Sequence, residues 1–231
     1  MHCPALRQHR RRWPSRLQYC QIGVIPIAGN LFGIQKIGPI KLANTYARAG
    51  ADSWGLDDLV VSRVRAVAPG TAVRRIAFSR EQLAHAGKSD SLFRNLNSEL
   101  RDFARHVAAG TNCDRYVVVH RDGRGKEPFG IGIVKYVSLF DSHTYLYVLM
   151  HVRVYDGQTF ELIKEGPAVI EDESLLHRAY VNPVGGPYRA LDEGSFPASR
   201  AEAVANPTLR EGVRALLTAS LDKTLPAMLR Q

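Results

Sequence analysis

The sequence predicts a mixed α/β fold with an α+β tendency: one domain, one mixed sheet with an antiparallel meander, and helices packed against it. Three observations carry this expectation. From His143 to Tyr155 the chain reads HTYLYVLMHVRVY, placing Leu146, Val148, Met150, Val152 and Val154 at every second position, the period of a strand with one buried face. From Leu209 onward, Val213, Leu216, Leu217, Leu221 and Leu225 recur at helical spacing, the stripe of a helix lying on a core. Between Gln21 and His120, strand-like and helix-like runs alternate, which is the sequence form of an α/β layer structure.

Taken in order, residues 1–20 read as a loose basic leader and 21–231 as the domain. Gln21 to Ala28 is a short apolar run suited to a first buried strand. Residues 31–53, with several glycines and Pro39, suggest an extended excursion holding one strand near Gly33 to Leu42. Asp52 or Ser53 can cap a helix with Leu56, Leu59, Val60, Val64 and Val67 on its buried side; Asp57 and Asp58 favour its positive end, and Pro69-Gly70 stops it. Thr71 to Phe78 reads as a second core strand, and Ser79 to Gln82 as a capping box. A longer helix follows, capped by Ser89 or Asp90, with Leu92, Leu96, Leu100, Phe103 and Val107 as its stripe and Gly110 at its end. Arg115 to His120 and Gly130 to Leu139 are strands separated by the charged loop RDGRGKEPF. Asp156-Gly157 turns the long strand back into another from Thr159 to Glu165. Residues 166–198 form a long irregular segment, functional or mobile by its length. Ser199 to Glu202 is another capping box, and Asn206-Pro207 opens the terminal helix.

At 231 residues and 45% hydrophobic, the chain can bury a sizeable core. Its formal charge is +9, but the first twenty residues hold five arginines and no acidic group, leaving +4 for the rest. A mildly basic body is ordinary, so only the tail suits phosphates or anionic lipid. Three cysteines, Cys3, Cys20 and Cys113, form no CxxC pair and no metal spacing. An odd count at these separations predicts no disulfide framework, and Cys113 is expected as a small, half-buried thiol. The run after the basic leader is short and broken by Gly23 and Pro26, unlike a signal-peptide core, and Tyr19 stands where a lipoprotein processing site before Cys20 needs a small residue. No segment approaches the roughly 20 apolar residues that span a bilayer.

The motifs that carry chemistry are absent or incomplete. Ala86-Gly87-Lys88-Ser89 lacks the earlier glycine of a phosphate-binding loop, since Gln82 stands there. Gly130-Ile131-Gly132 lacks the third glycine and the helix of a dinucleotide site; glycines on one strand face instead let a neighbouring side chain lie flat on the backbone. Ser195 has no GxSxG context. Eight histidines give no HxxxH or HExxH, so no metal and no cofactor are expected. His120 ends a strand at a loop mouth, where ligands bind in open α/β sheets. It is the best catalytic candidate, with Asp122 and His177 beside it in the reading of a hydrolase-like site between residues 121–129 and 171–190. Tyr145, Tyr147, His151 and Arg153, with Tyr155, share one strand face that could stack bases. The alternative is that a helix such as the terminal one covers them.

Asp114 to Val119 (DRYVVV) resembles the "gaDyvivG" strand of bacterial envelope α/β domains, including the curli secretion-channel subunit family and the amino-terminal domain of the Tol-Pal β-propeller protein. Val152 to Glu161 (VRVYDGQTFE) resembles a later "vrvyD..Tge" strand of the same domains. His120 departs from the glycine usual after the first motif, and residues 166–198 have no counterpart. The resemblance implies an exported, often lipid-anchored domain that binds and assembles; it carries over no catalytic residue. It makes a non-enzymatic envelope accessory protein, with a protein partner or self-association, the leading expectation, and a periplasmic or envelope location follows if the true start lies upstream. A chain starting as written is expected in the cytoplasm. A small-molecule enzyme and a basic nucleic-acid binder are the two rivals.

Overall fold

A computed structural model describes residues 20–79, 81–83, 96–122, 130–171 and 183–230. The basic leader before Cys20, the Ala86 to Ser89 turn, Leu92 and its cap, the 123–129 loop and His177 lie outside the described residues.

The mixed α/β architecture is present, with its strands divided between two five-stranded sheets rather than gathered in one. The strands are β1 (Cys20–Ile27), β2 (Leu31–Ile37), β3 (Thr45–Gly50), β4 (Val73–Arg75), β5 (Cys113–Arg121), β6 (Ile131–Val137), β7 (Ser142–Val148), β8 (Met150–Asp156), β9 (Leu162–Pro167) and β10 (Tyr188–Leu191). The helices are α1 (Leu56–Val67), α2 (Leu96–Val107), α3 (Arg200–Ala205) and α4 (Pro207–Leu229). The first sheet runs β4-β1-β5-β8-β9 and the second β10-β7-β6-β2-β3. The centre of each repeats the same chain order, because β1 continues into β2, β5 into β6, and β7 into β8.

The alternating segment that dominates the sequence is thus two strands, broken at Leu149. Its N–H donates to the Gly130 carbonyl (2.6 Å) and its carbonyl accepts from the Asp122 N–H (2.9 Å), joining the sheets at the bend. The two-residue period survives the break: Leu146, Val148, Met150, Val152 and Val154 all enter one core. There they meet Val60, Val61 and Val64 of α1 and the full expected stripe of α4, every member of which is buried. Helix α4 has 23 residues, about 34 Å, and packs on β7 and β10 of one sheet and β8 and β9 of the other. Asn206 Oδ1 accepts from the N–H groups of Thr208 and Leu209, and Pro207 is the first helical residue.

The terminal helix therefore covers the face opposite the tyrosines. On the tyrosine side of the first sheet, Tyr116, Val118 and Tyr155 pack with Phe103, Ala104 and Val107 of α2. On that side of the second sheet, Tyr147 packs with Val134, Leu149 and Val184. Glycines make this possible: a Cβ at Gly132 would lie 2.6 Å from Tyr147 Oη and one at Gly33 3.3 Å from it. Gly132 therefore has the packing role the sequence assigns it.

Several local expectations shift. The 31–53 excursion is the hairpin β2–β3, a strand more than expected, because short glycine-bearing strands give a weak periodic signal. Gly55, with φ +62°, precedes α1, while Asp52 and Ser53 lie in a preceding 3-10 turn. Asp57 does more than favour the helix dipole: its Oδ1 accepts from the N–H groups of Ala28 and Gly29 (3.1 and 3.3 Å) at the β1–β2 bend. Burial pushes its carboxyl above the ordinary value, against those same hydrogen bonds. The expected second core strand is the three-residue edge strand β4. Both capping boxes put a serine Oγ on the fourth residue's N–H: Ser79 on Gln82 (3.2 Å) and Ser199 on Glu202 (3.1 Å). Within the irregular 166–198 segment, β10 adds to β7.

The cysteine expectation is overturned. Cys20 and Cys113 form a disulfide across 93 residues, with Cα atoms 4.5 Å apart. They are register partners on the parallel neighbours β1 and β5, and both are buried, at 2% and 3% exposure. Cysteine counting could not find the pair, because it is brought together by a strand pairing distant in sequence.

Candidate functional site

The described candidate residues divide into two groups. His120, Asp122, His151 and Arg153 belong to the first sheet or its rim, whereas Tyr145 and Tyr147 belong to the second. The register explains the first grouping. β5 and β8 are antiparallel with His120 opposite His151, and β8 and β9 are antiparallel with Arg153 opposite Glu165. Side chains at paired positions share a face, so two imidazoles, a guanidinium and a carboxylate collect on the side of the sheet that α2 covers.

The two imidazole rings stack, 5.4 Å between centroids and 29° between planes. His120 Nδ1 lies 2.8 Å from the carbonyl oxygen of Arg121. A carbonyl only accepts, so the Nδ1–H tautomer makes this bond and Nε2 carries the lone pair. Burial, reinforced by the nearby His151 and Arg153, holds the His120 pKa down at about 4 despite that hydrogen bond. His151 sits between two carboxylates, its Nδ1 3.9 Å from Asp122 Oδ2 and its Nε2 3.8 Å from Glu165 Oε2. Arg153, 5% exposed, donates through Nη2 to Asn97 Oδ1 at 2.6 Å and lies 3.0 Å from Glu165 Oε2.

Arg153 thus ties the start of α2 to the β8–β9 hairpin, and His120 uses Nδ1 on its own strand. The Nη2 of this buried guanidinium is matched by a carboxylate and an amide, a structural use of charge, while Arg153 Nε, His120 Nε2 and His151 Nε2 are buried without a hydrogen-bond partner among the described residues. No group of three or more metal-ligating side chains forms among the described residues. A hollow of about 740 Å³ opens at the other end of the first sheet, beside Arg105, Asn112, Asp114, Asp156 and Phe160, and none of the candidate residues lines it. Tyr147 is 1% exposed and its ring is enclosed, while Tyr145 is half-buried and meets Tyr188 edge-on at 5.5 Å.

No local pattern in the sequence joins His120 to His151 or points to Asn97 and Glu165. The Arg153–Glu165 pair is a cross-strand charge pair of the kind a hairpin register reveals, but an irregularity at Val154/Tyr155 shifts that register by one residue. Asn97 comes from a helix 56 residues away and left no local signal.

A pH dependence follows from His120. The imidazole titrates near its ordinary 6.5 in the unfolded chain and at about 4 in the fold. Between these values the unfolded state binds more protons, so stability falls as pH drops from about 6.5 towards 4. The loss attributable to this residue is expected to be about 2–3 kcal/mol. Urea unfolding at pH 7 and pH 4.5 should show a smaller difference for His120→Gln than for the parent chain; equal differences would mean the imidazole is not buried in its neutral form.

Comparison with known proteins adds fold likeness only. No protein-family model matches the chain, and no curated protein matches it. Among solved structures, the LpoB C-terminal domain from Salmonella enterica is 13% identical, with 65% of this chain and 82% of that one covered and a TM-score of 0.24. The DUF330 protein of Xanthomonas campestris is 11% identical over 93% of this chain and 87% of its own, with a TM-score of 0.38. Lipoprotein GNA1162 from Neisseria meningitidis is 13% identical over 76% and 88%, with a TM-score of 0.29. These are bacterial proteins, and none of them is a curli channel subunit or a Tol-Pal propeller domain. At scores below 0.5 the likeness carries no argument about the activity of this chain.

Proposed function

We propose that this chain is a non-enzymatic accessory or assembly domain of the bacterial envelope that works through protein contacts. The observation that carries the reading is the buried Cys20–Cys113 disulfide. Structural disulfides form and persist in oxidising compartments and are rare in a reducing cytosol. The bond also engages Cys20 Sγ, the atom a lipoprotein anchor at that residue would use.

Two features support contact over catalysis. On the α2 side of the first sheet, Arg153 is held between Asn97 and Glu165, a structural use of charge, and no described candidate residue lines the hollow at the other end of that sheet. At the edge of the same sheet, β9 exposes Leu162 and Ile163, 42% and 44% accessible, and its outer backbone offers a template for an added strand. Among the described residues, no helix is long and apolar enough to cross a membrane.

Fractionation of the source cell combined with thiol trapping tests the reading. The expected result is a chain in the periplasmic or membrane fraction whose Cys20 and Cys113 resist alkylation until reduced. A cytosolic chain with both thiols free would overturn it.

A further inference from the structure

At one end of the second sheet, four large apolar side chains stand in solvent. β2 and β6 are parallel neighbours paired through Ile37 and Tyr136, so both leave the sheet at the same end. β2 turns into β3 through residues 38–44 and β6 into β7 through residues 138–141. Neighbouring strands lie about 5 Å apart, so the two turns emerge side by side. Their tips carry Ile40, Leu42, Leu139 and Phe140, exposed by 62, 94, 79 and 97%. Single exposed apolar residues are ordinary, but four on two adjacent tips make a patch.

The tips are held in place by their own hydrogen bonds. Asn44 Oδ1 accepts from the Gly38 N–H (3.0 Å), and Ser138 Oγ accepts from the N–H groups of Phe140 and Asp141 (3.3 and 3.0 Å). Behind them the last paired row of β2 and β6 is Ile37 and Tyr136, and the next is Lys36 and Lys135, which share a face. One row deeper, opposite Gln35 and Val134, lie Tyr46, 40% exposed, and Tyr145, which meets Tyr136 edge-on at 6.1 Å. Of the described acidic groups at this end, Asp141 lies 2.9 Å from His143 Nε2, Glu193 accepts from the Ser142 hydroxyl, and Asp192, just beyond Leu191 of β10, is exposed.

The order from the tips inward is apolar, then tyrosine at Tyr136, then cationic. A lipid surface presents the complementary order of acyl chain, amphipathic interface and phosphate. The shape agrees, because protruding side chains need a matched hollow in a protein partner, whereas acyl chains yield around them. We propose that the β2–β3 and β6–β7 tips dock on an anionic lipid surface, with Ile40, Leu42, Leu139 and Phe140 among the acyl chains and Lys36 and Lys135 against the phosphates. This surface is separate from the β9 edge, and the inference does not rest on the protein-contact reading.

The test is co-sedimentation of the full chain with vesicles of phosphatidylcholine alone and with about one third phosphatidylglycerol. Binding is expected on the anionic vesicles. The variant carrying Leu42→Ser and Phe140→Ser should bind at least about tenfold more weakly, with unchanged thermal unfolding because both residues are exposed. Lys36→Gln with Lys135→Gln should cost about tenfold on anionic vesicles alone. A Phe140→Trp reporter should be quenched by brominated acyl chains. Binding that the Leu42/Phe140 variant leaves intact would assign it to the arginine-rich leader and overturn the proposal. So would failure to bind either vesicle, or self-association abolished by the same variant, which would make a second copy the occupant.

Discussion

Reduction of the Cys20–Cys113 disulfide is expected to lower the unfolding free energy by about 2–5 kcal/mol. The bond closes a loop of 93 residues, and in the chain-entropy account a cross-link of that span removes about 4–5 kcal/mol of freedom from the unfolded ensemble. It also joins the two central parallel strands of the first sheet at buried positions, so its loss leaves two thiols inside a packed layer. Urea unfolding with and without reductant, and of the variant with both Cys20→Ala and Cys113→Ala, measures the effect. Curves that coincide with and without reductant would show that the two sulfurs are not linked.

The second large effect is expected at Arg121, where β5 leaves the first sheet. Its Nε donates to the Ala28 carbonyl (3.1 Å) and its Nη2 to the Leu31 carbonyl (2.7 Å), spanning the β1–β2 bend. Gly29 and Gly130 make room: a Cβ at Gly29, which has φ +99°, would lie 2.2 Å from the guanidinium, and one at Gly130 would lie 2.7 Å from Arg121 Cδ. Arg121→Ala removes two charge-assisted hydrogen bonds and is expected to cost about 3–5 kcal/mol. Arg121→Lys should recover only part, because an ammonium lacks the planar fork that reaches both carbonyls. Thermal or denaturant unfolding reads both. An alanine variant within about 0.5 kcal/mol of the parent would remove the arginine from its place as the clip between sheets.

The disulfide and the Arg121 clip mark the boundary of what is legible in the sequence. Local and periodic features read well: the α4 stripe, the Asn206-Pro207 start, both capping boxes, and the alternation that fills one core from Leu146 to Val154. Pairings distant in sequence did not. The disulfide depends on the β1–β5 register, the split into two sheets on a one-residue break at Leu149, and the Arg121 clip on carbonyls 90 and 93 residues away. The site follows the same division. His120 and His151 each stood out as strand histidines, but their stacking is a product of the register between β5 and β8, and Glu165 was displaced from easy reading by the irregularity at Val154/Tyr155.

The position of β1 also bears on how the chain is born. Both of its sheet neighbours, β4 and β5, lie later in the sequence, and the second is complete only at Arg121. A ribosome adding 5–20 residues per second reaches Arg121 on the order of 5–20 s after Ile27. For most of that interval the apolar strand has at best the three-residue partner β4, and the thiol of Cys20 waits until Cys113 has been made. Such non-local parallel pairing folds slowly and leaves strands open to wrong contacts. The nascent chain is therefore expected to be most vulnerable to misassociation before β5 emerges, and oxidation of the correct pair to be a late event in its maturation.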